Sequence, residues 1–289
     1  MMEPNRASRL VARHMHTLRH RLPRWAFFLA LCGALPMSSS WGQQGGVSVR
    51  GESKLAKLVP AAEVEQAAAQ QYAALTQEAA KKGLLAPSSD PQLQRLRAVA
   101  QRIIPFGAKW NSRAANWKWE INLLKGDEIN AFCMPGGKIA FYSGILGNLR
   151  LNDDEIAIVM GHEMSHALRE HARARMAQQA ATNIGASLLS QILGLGNAGN
   201  TILSASAGLI GLRFSREDET DADAVGLELA ARAGYDPRAG VTLWQKMQAS
   251  HNGAPPQWLS SHPADGNRVA EIQRRLPEVM PLYEKARRR

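Results

Sequence analysis

At 289 residues and 45% hydrophobic content, the chain is long enough for one well-packed domain, or at most two small ones, with a core that needs no staples. Its formal charge of +10 raises nucleic acid as a partner, but six arginines (Arg6, Arg9, Arg13, Arg19, Arg21 and Arg24) against one acid, Glu3, in residues 1–42 supply half of it. The rest is interspersed with acids and reads as a solvated surface, so no nucleic acid is expected.

Residues 1–42 read as an export signal, with Met15 as an alternative start: a basic stretch to Arg24, an apolar core from Trp25 to Leu35, then small and polar residues. The core is too short to span a bilayer, which takes about 20 residues. A mitochondrial presequence is the alternative address. Cys32 lies in this segment and leaves Cys133 alone, so no intramolecular disulfide is expected beyond it, and Cys133 reads as a small buried side chain.

Residues 43–58 read as a linker, and 59–289 as one domain. Ala, Glu, Gln and Lys dominate from Ala61 to Lys82 and Gly83 follows, which is a helix with its stop signal. A second helix starts at Asp90, with Pro91 in its first turn, and breaks at Pro105. "WKWEINLL" (117–124) alternates at period two, as a half-buried strand does, and "NAFCMPGGKIAFYSGIL" (130–146) reads as further strands broken at Pro135-Gly136-Gly137. From there on only helices and loops are expected, giving an α+β, mostly α-helical fold with a small β-sheet.

Asn152 and Glu155 form a capping box, and the stretch after them predicts one helix over 153–170. It contains "VMGHEMSHAL" (159–168). Histidines four apart lie on one helix face, so His162 and His166 can bind a single ion, with Glu163 placed to act on water that the ion activates. The same pair also fits a packed core. A third ligand decides between the two, and "SREDETDADAVGLELAARAGY" (215–235) offers Glu219 and Asp223 at i and i+4, although so acidic a stretch equally suits a solvated helix start. His171, nine positions after His162, falls on the opposite face of a regular helix and reads as structural. Residues 182–212 carry no charge and read as a buried helical hairpin, or as a flap over the cleft that touches a membrane surface.

These blocks, with "WLSSHPADGNRV", resemble the zinc metallopeptidase family of the CAAX prenyl protease, the heat-shock protease HtpX and the exported LoiP- and BepA-like proteases. The match runs in the family's order from about residue 90 to 275, without the hydrophobic spans of its integral-membrane branches. The resemblance implies a zincin-like domain binding one Zn2+ through His162, His166 and Glu219, with Glu163 as general base and Asp223 orienting a ligand. His262 and Arg268 are candidates for stabilising an oxyanion. His262 can instead fill the open zinc position at rest or be a surface histidine. Gly136, Gly137, Lys138 and Ile139 are expected near the zinc as an exposed strand edge that substrate extends. The function expected is an exported, periplasmic zinc-dependent endopeptidase acting on unfolded or misfolded envelope proteins, in peripheral contact with a membrane or with outer-membrane assembly proteins. The alternative is a non-catalytic periplasmic chaperone or assembly factor on the same fold.

Overall fold

The computed structural model describes residues 45–180, 209, 212–250, 256–262 and 267–288. These all belong to one compact unit, Gln44–Arg289. The expected export signal lies outside the described residues, and so does the uncharged stretch 182–212 apart from Leu209 and Leu212, which are buried. No helix among the described residues is long and apolar enough to cross a membrane.

Helix α1 (Ala61–Lys81) ends where Gly83 takes a φ of 70°. Helix α2 (Pro91–Ile103) is capped by the Asp90 side chain, which accepts from the backbone N–H groups of Gln92 and Leu93. Strands β1 (Glu120–Leu124), β2 (Ala131–Met134) and β3 (Lys138–Tyr142) form one sheet in the order β1-β3-β2. β1 runs parallel to β3, while β2 pairs with it antiparallel, with Cys133 opposite Ile139. Successive side chains point to opposite faces. Ile139 and Phe141 therefore join the cluster around the central helix, while Phe132, Met134 and Ala140 join α1's Val64, Ala68 and Tyr72.

Three expectations need correction here. Residues 143–148 form a short helix, α3 (Ser143–Asn148), instead of continuing a strand. The strand carrying Lys138 and Ile139 is the middle one, paired on both sides and buried, so it offers no exposed edge. Gly136 and Gly137, both with φ near 80°, make the turn that brings it back beside β2. The supposed linker is docked: the Val47 N–H donates to Glu228 Oε2 (2.8 Å), Arg50 pairs with Asp218 and Asp221, and Ala56 is buried.

The central helix α4 (Asp153–Leu168) begins at the predicted capping box, and every residue from Glu155 to Leu168 is buried. It stops short of the expected end, because Arg169 and Glu170 leave the helix and Glu170 adopts a φ of 57°. A second helix, α5, covers 171–180. Helix α6 (Arg216–Arg232) starts at a Ser215/Asp218 capping box, and α7 (Ala239–Ala249), α8 (Gln257–Ser261) and α9 (Arg268–Arg287) follow.

Helices α4 and α6 touch backbone to backbone. A Cβ built on Gly226 would lie 2.7 Å from the His162 backbone nitrogen, and one on Gly161 would lie 2.7 Å from the Gly226 carbonyl oxygen. Glu219 and Asp223 precede Gly226 by seven and three positions, on the same face of α6. The crossing therefore aims both carboxylates at His162. Gly226→Ala should push the helices apart at a cost of about 1–3 kcal/mol, lowering Tm by roughly 2–4 °C for each kcal/mol. A thermal denaturation curve identical to wild type would refute this contact.

Candidate metal centre

His162, His166, Glu219 and His262 bring one potential ligand atom each to a common point, all within 4.8 Å of one another and all buried. The two α4 histidines arrive there because residues four apart share a helix face, with their Nε2 atoms 3.1 Å apart. Glu219, in the first turn of α6, places Oε1 3.4 Å from His166 Nε2 and Oε2 3.4 Å from His162 Nε2. His262, following α8, places Nδ1 3.2 Å from His162 Nε2 and 3.0 Å from Glu219 Oε1.

Zinc bonds of about 2.0–2.1 Å in a tetrahedron require ligand atoms roughly 3.4 Å apart. The separations among His162, His166 and Glu219, 3.1–3.4 Å, lie close to that figure, and imidazole nitrogen with carboxylate oxygen is a donor set suited to zinc. Charge balance agrees. The buried guanidinium of Arg268 pairs with Glu219 and Asp223, while the buried carboxylate of Glu163 meets the Trp258 indole and His262, so the cluster carries an excess of carboxylate that a divalent cation would offset.

The carboxylates are held by design of the two helices. His162 Nδ1 donates to Asp223 Oδ1 at 3.0 Å, which leaves Nε2 facing the cluster. Arg268 grips Asp223 from its other side, Nε to Oδ2 at 2.6 Å and Nη2 to Oδ1 at 2.8 Å, and its Nη1 lies 2.9 Å from Glu219 Oε2. Its guanidinium also stacks over Trp244, 4.0 Å from the ring centroid. The structure thus engages Arg268 with the two carboxylates of α6.

Two residues that the sequence reading passed over complete the centre. The indole N–H of Trp258 donates to Glu163 Oε1 at 2.6 Å, and Phe214 stacks on His166 with ring centroids 3.9 Å apart. His262 Nε2 lies 3.5 Å from the same Glu163 oxygen. His171, expected on the far face, instead has its Nδ1 3.0 Å from His166 Nδ1 because the chain turns at Glu170. β2 passes close by: burial and the negative charge of Glu163 push the Cys133 thiol well above its ordinary range.

Burial disfavours an imidazolium at His162, but the carboxylates of Asp223 and Glu219 outweigh it and raise its pKa to about 9. Burial dominates at His166, held well below its ordinary value, and at His171, lowered to about 4. Glu219, despite its burial, is kept well below the usual carboxylate range by His262, His162 and His166, and Asp223 is lowered chiefly by Arg268 and His162.

A metal ion must displace the proton on His162, so zinc affinity should increase as pH rises toward about 9 and weaken as it falls. Chelator competition across that range checks the sign, and pH-independent affinity contradicts it. Glu219→Ala should weaken zinc more than Asp223→Asn, since one removes a donor and the other alters only its neighbour's support, worth roughly 10–100-fold. The reverse order would show that Glu219 is not a ligand.

A family model described as peptidase family M48 matches residues 90–276. The chain is 34% identical over 201 residues to the mitochondrial metalloendopeptidase OMA1 of Schizosaccharomyces pombe, covering 68% of this chain and 57% of that one. It is 35% identical over 167 residues to the Arabidopsis thaliana protein of the same name, covering 57% of this chain and 33% of that one. It is 29% identical over 207 residues to the beta-barrel assembly-enhancing protease of Escherichia coli, covering 67% of this chain and 41% of that one. The chain thus spans between about a third and just over half of the length of these relatives. The model's match runs from the Asp90 cap of α2, through both helices that carry the buried donors, into α9, and on that extent the chain belongs to peptidase family M48.

Proposed function

We propose that this protein is a zinc-dependent endopeptidase that hydrolyses peptide bonds in unfolded or misfolded proteins of the cell envelope. The observation that carries the reading is the convergence of His162, His166 and Glu219 on one buried point, with Glu163 next to the first histidine. Zinc bound there supplies Lewis-acid activation of water and of the scissile carbonyl. Glu163 takes the proton from the attacking water and passes it to the leaving amine. The indole of Trp258 fixes the carboxylate that does this.

His262 is the cap of the resting site in this reading, because its Nδ1 occupies the fourth donor position, 3.0 Å from Glu219 and 3.2 Å from His162. Withdrawing it opens that position and leaves an imidazole at hand to assist the oxyanion. Arg268 serves as a positioning residue, since its guanidinium is committed to Asp223 and Glu219. Substrate is assigned to the edge of β2, the edge strand packed against α4, in place of the central strand. Pairing through main-chain groups favours extended chains of little sequence preference, as unfolded proteins are.

An address in the periplasm rests on the short apolar core at Trp25–Leu35 and on similarity to the Escherichia coli protease, whose name also suggests β-barrel assembly as the setting. The mitochondrial relatives support the other address. Cell fractionation with N-terminal sequencing of the processed chain separates the two.

Glu163→Gln should keep zinc and fold while cutting casein hydrolysis by roughly a hundredfold or more. Unaltered turnover in a zinc-loaded variant would exclude Glu163 as the base, whereas a wild-type protein that prevents aggregation but cleaves nothing would favour a chaperone. His262→Ala should speed zinc removal by a chelator and lower turnover, the latter by roughly a hundredfold if one oxyanion donor is lost. Wild-type values for both would leave His262 without a role.

A further inference from the structure

His171 stands beside His166 because α4 ends at Leu168 and Glu170 turns the chain through a left-handed residue. Two ring nitrogens 3.0 Å apart share a single hydrogen, so one donates and the other accepts. His166 faces the donor cluster through Nε2, 3.1 Å from His162 Nε2 and 3.4 Å from Glu219 Oε1. A neutral imidazole that offers Nε2 to an ion carries its hydrogen on Nδ1. His171 Nδ1 is then the acceptor, and its own hydrogen lies on Nε2.

That second nitrogen faces an anion. His171 Nε2 is 3.9 Å from Asp218 Oδ1, the same oxygen that pairs with Arg50 Nη2 at 3.0 Å. Arg50 is itself fixed by Asp221, 3.2 Å from its Nε, and by the Arg169 side chain, which donates to its carbonyl oxygen at 2.5 Å. The two ring ligands are thus supported unequally. His162 leans on the carboxylate of Asp223, and His166 on a neutral imidazole backed by an ion pair that reaches the docked N-terminal stretch.

We propose that His171 is the positioning residue for His166: it accepts the Nδ1 hydrogen and fixes the tautomer that leaves Nε2 free for the metal, while its own Nε2 faces the Asp218–Arg50 pair. The proposal rests on His166 being a metal ligand. Phe214, stacked on the same ring, sets its plane but has no means of selecting a tautomer. Space filling alone would ask only for bulk at position 171, whereas this role asks for a lone pair at one atom.

The two requirements separate in two variants of the purified protein. His171→Asn places a carbonyl oxygen at the branch position where His171 Nδ1 sits, and His171→Leu fills the volume with no acceptor. Zinc affinity is read by competition with a chromophoric chelator, and tautomers by the 15N shifts of the histidine rings in the zinc-loaded wild type. The Leu variant should lose roughly 10–100-fold in affinity, the span typical of a lost ligand-orienting partner, and the Asn variant should recover most of that loss. In the spectrum, Nδ1 should be protonated on His166 and bare on His171. Equal affinities in the two variants, or a hydrogen on His171 Nδ1, would overturn the proposal. Should the Leu variant not fold, the wild-type spectrum decides alone. A wild-type protein that binds no zinc would remove the ligand reading and the proposal together, which is distinct from a wild type that binds zinc and variants that match it.

Discussion

The centre depends on a contact that contains no functional group at all, the crossing of α4 over α6 at Gly161 and Gly226. Side chains of ordinary size hold helices 8–10 Å apart, and at that distance a carboxylate on one helix has to stretch to meet an imidazole on the other. Two glycines remove the intervening methyl groups. Asp223 then reaches His162 Nδ1 at 3.0 Å while Glu219 comes within 3.4 Å of both α4 imidazoles. The geometry is set by backbone, which is stiffer than any side chain placed to imitate it.

Burial makes the rest of the arrangement necessary. Carboxylates taken out of water are costly unless each is paired and hydrogen-bonded. Arg268 answers two of them at once, with hydrogen bonds to Asp223 and an ion pair to Glu219, and Trp258 answers Glu163. The guanidinium is itself almost fully buried, which a long charged side chain tolerates only when its donors are taken up in this way. Functional chemistry and electrostatic housekeeping are therefore done by the same residues, and each polar side chain around the cluster answers to more than one neighbour.

Much of this was legible because it is local. The caps at Asp90 and Asn152, the stop at Gly83 and the i, i+4 pairing of His162 with His166 and of Glu219 with Asp223 depend on residues within a turn of one another. What escaped depends on distant partners or on unusual backbone. Left-handed turns are announced by glycine, and here the residue at φ 57° is Glu170, so nothing warned that His171 would swing back. The strand of Lys138 and Ile139 was expected as an edge because zinc peptidases commonly add substrate as a strand, whereas the order β1-β3-β2, which no local pattern reveals, places the last strand in the middle. Trp258 gave no signal because a lone indole does not reveal where its N–H points.

The docking of residues 45–50 also sets where the foldable unit begins. The Gly45 carbonyl oxygen accepts from Arg232 and the Val47 N–H donates to Glu228, while Arg50 is the counter-ion of Asp218 and Asp221. All four of those partners lie on α6. Trimming through Val47 would strip the buried Glu228 carboxylate of its backbone donor, and trimming through Arg50 would take the nearest cation from Asp218 and Asp221. Cleavage of the chain ahead of this domain therefore has a strict downstream limit, well before the first helix, and proteolysis past that limit would act on the helix of Glu219 from outside the cleft.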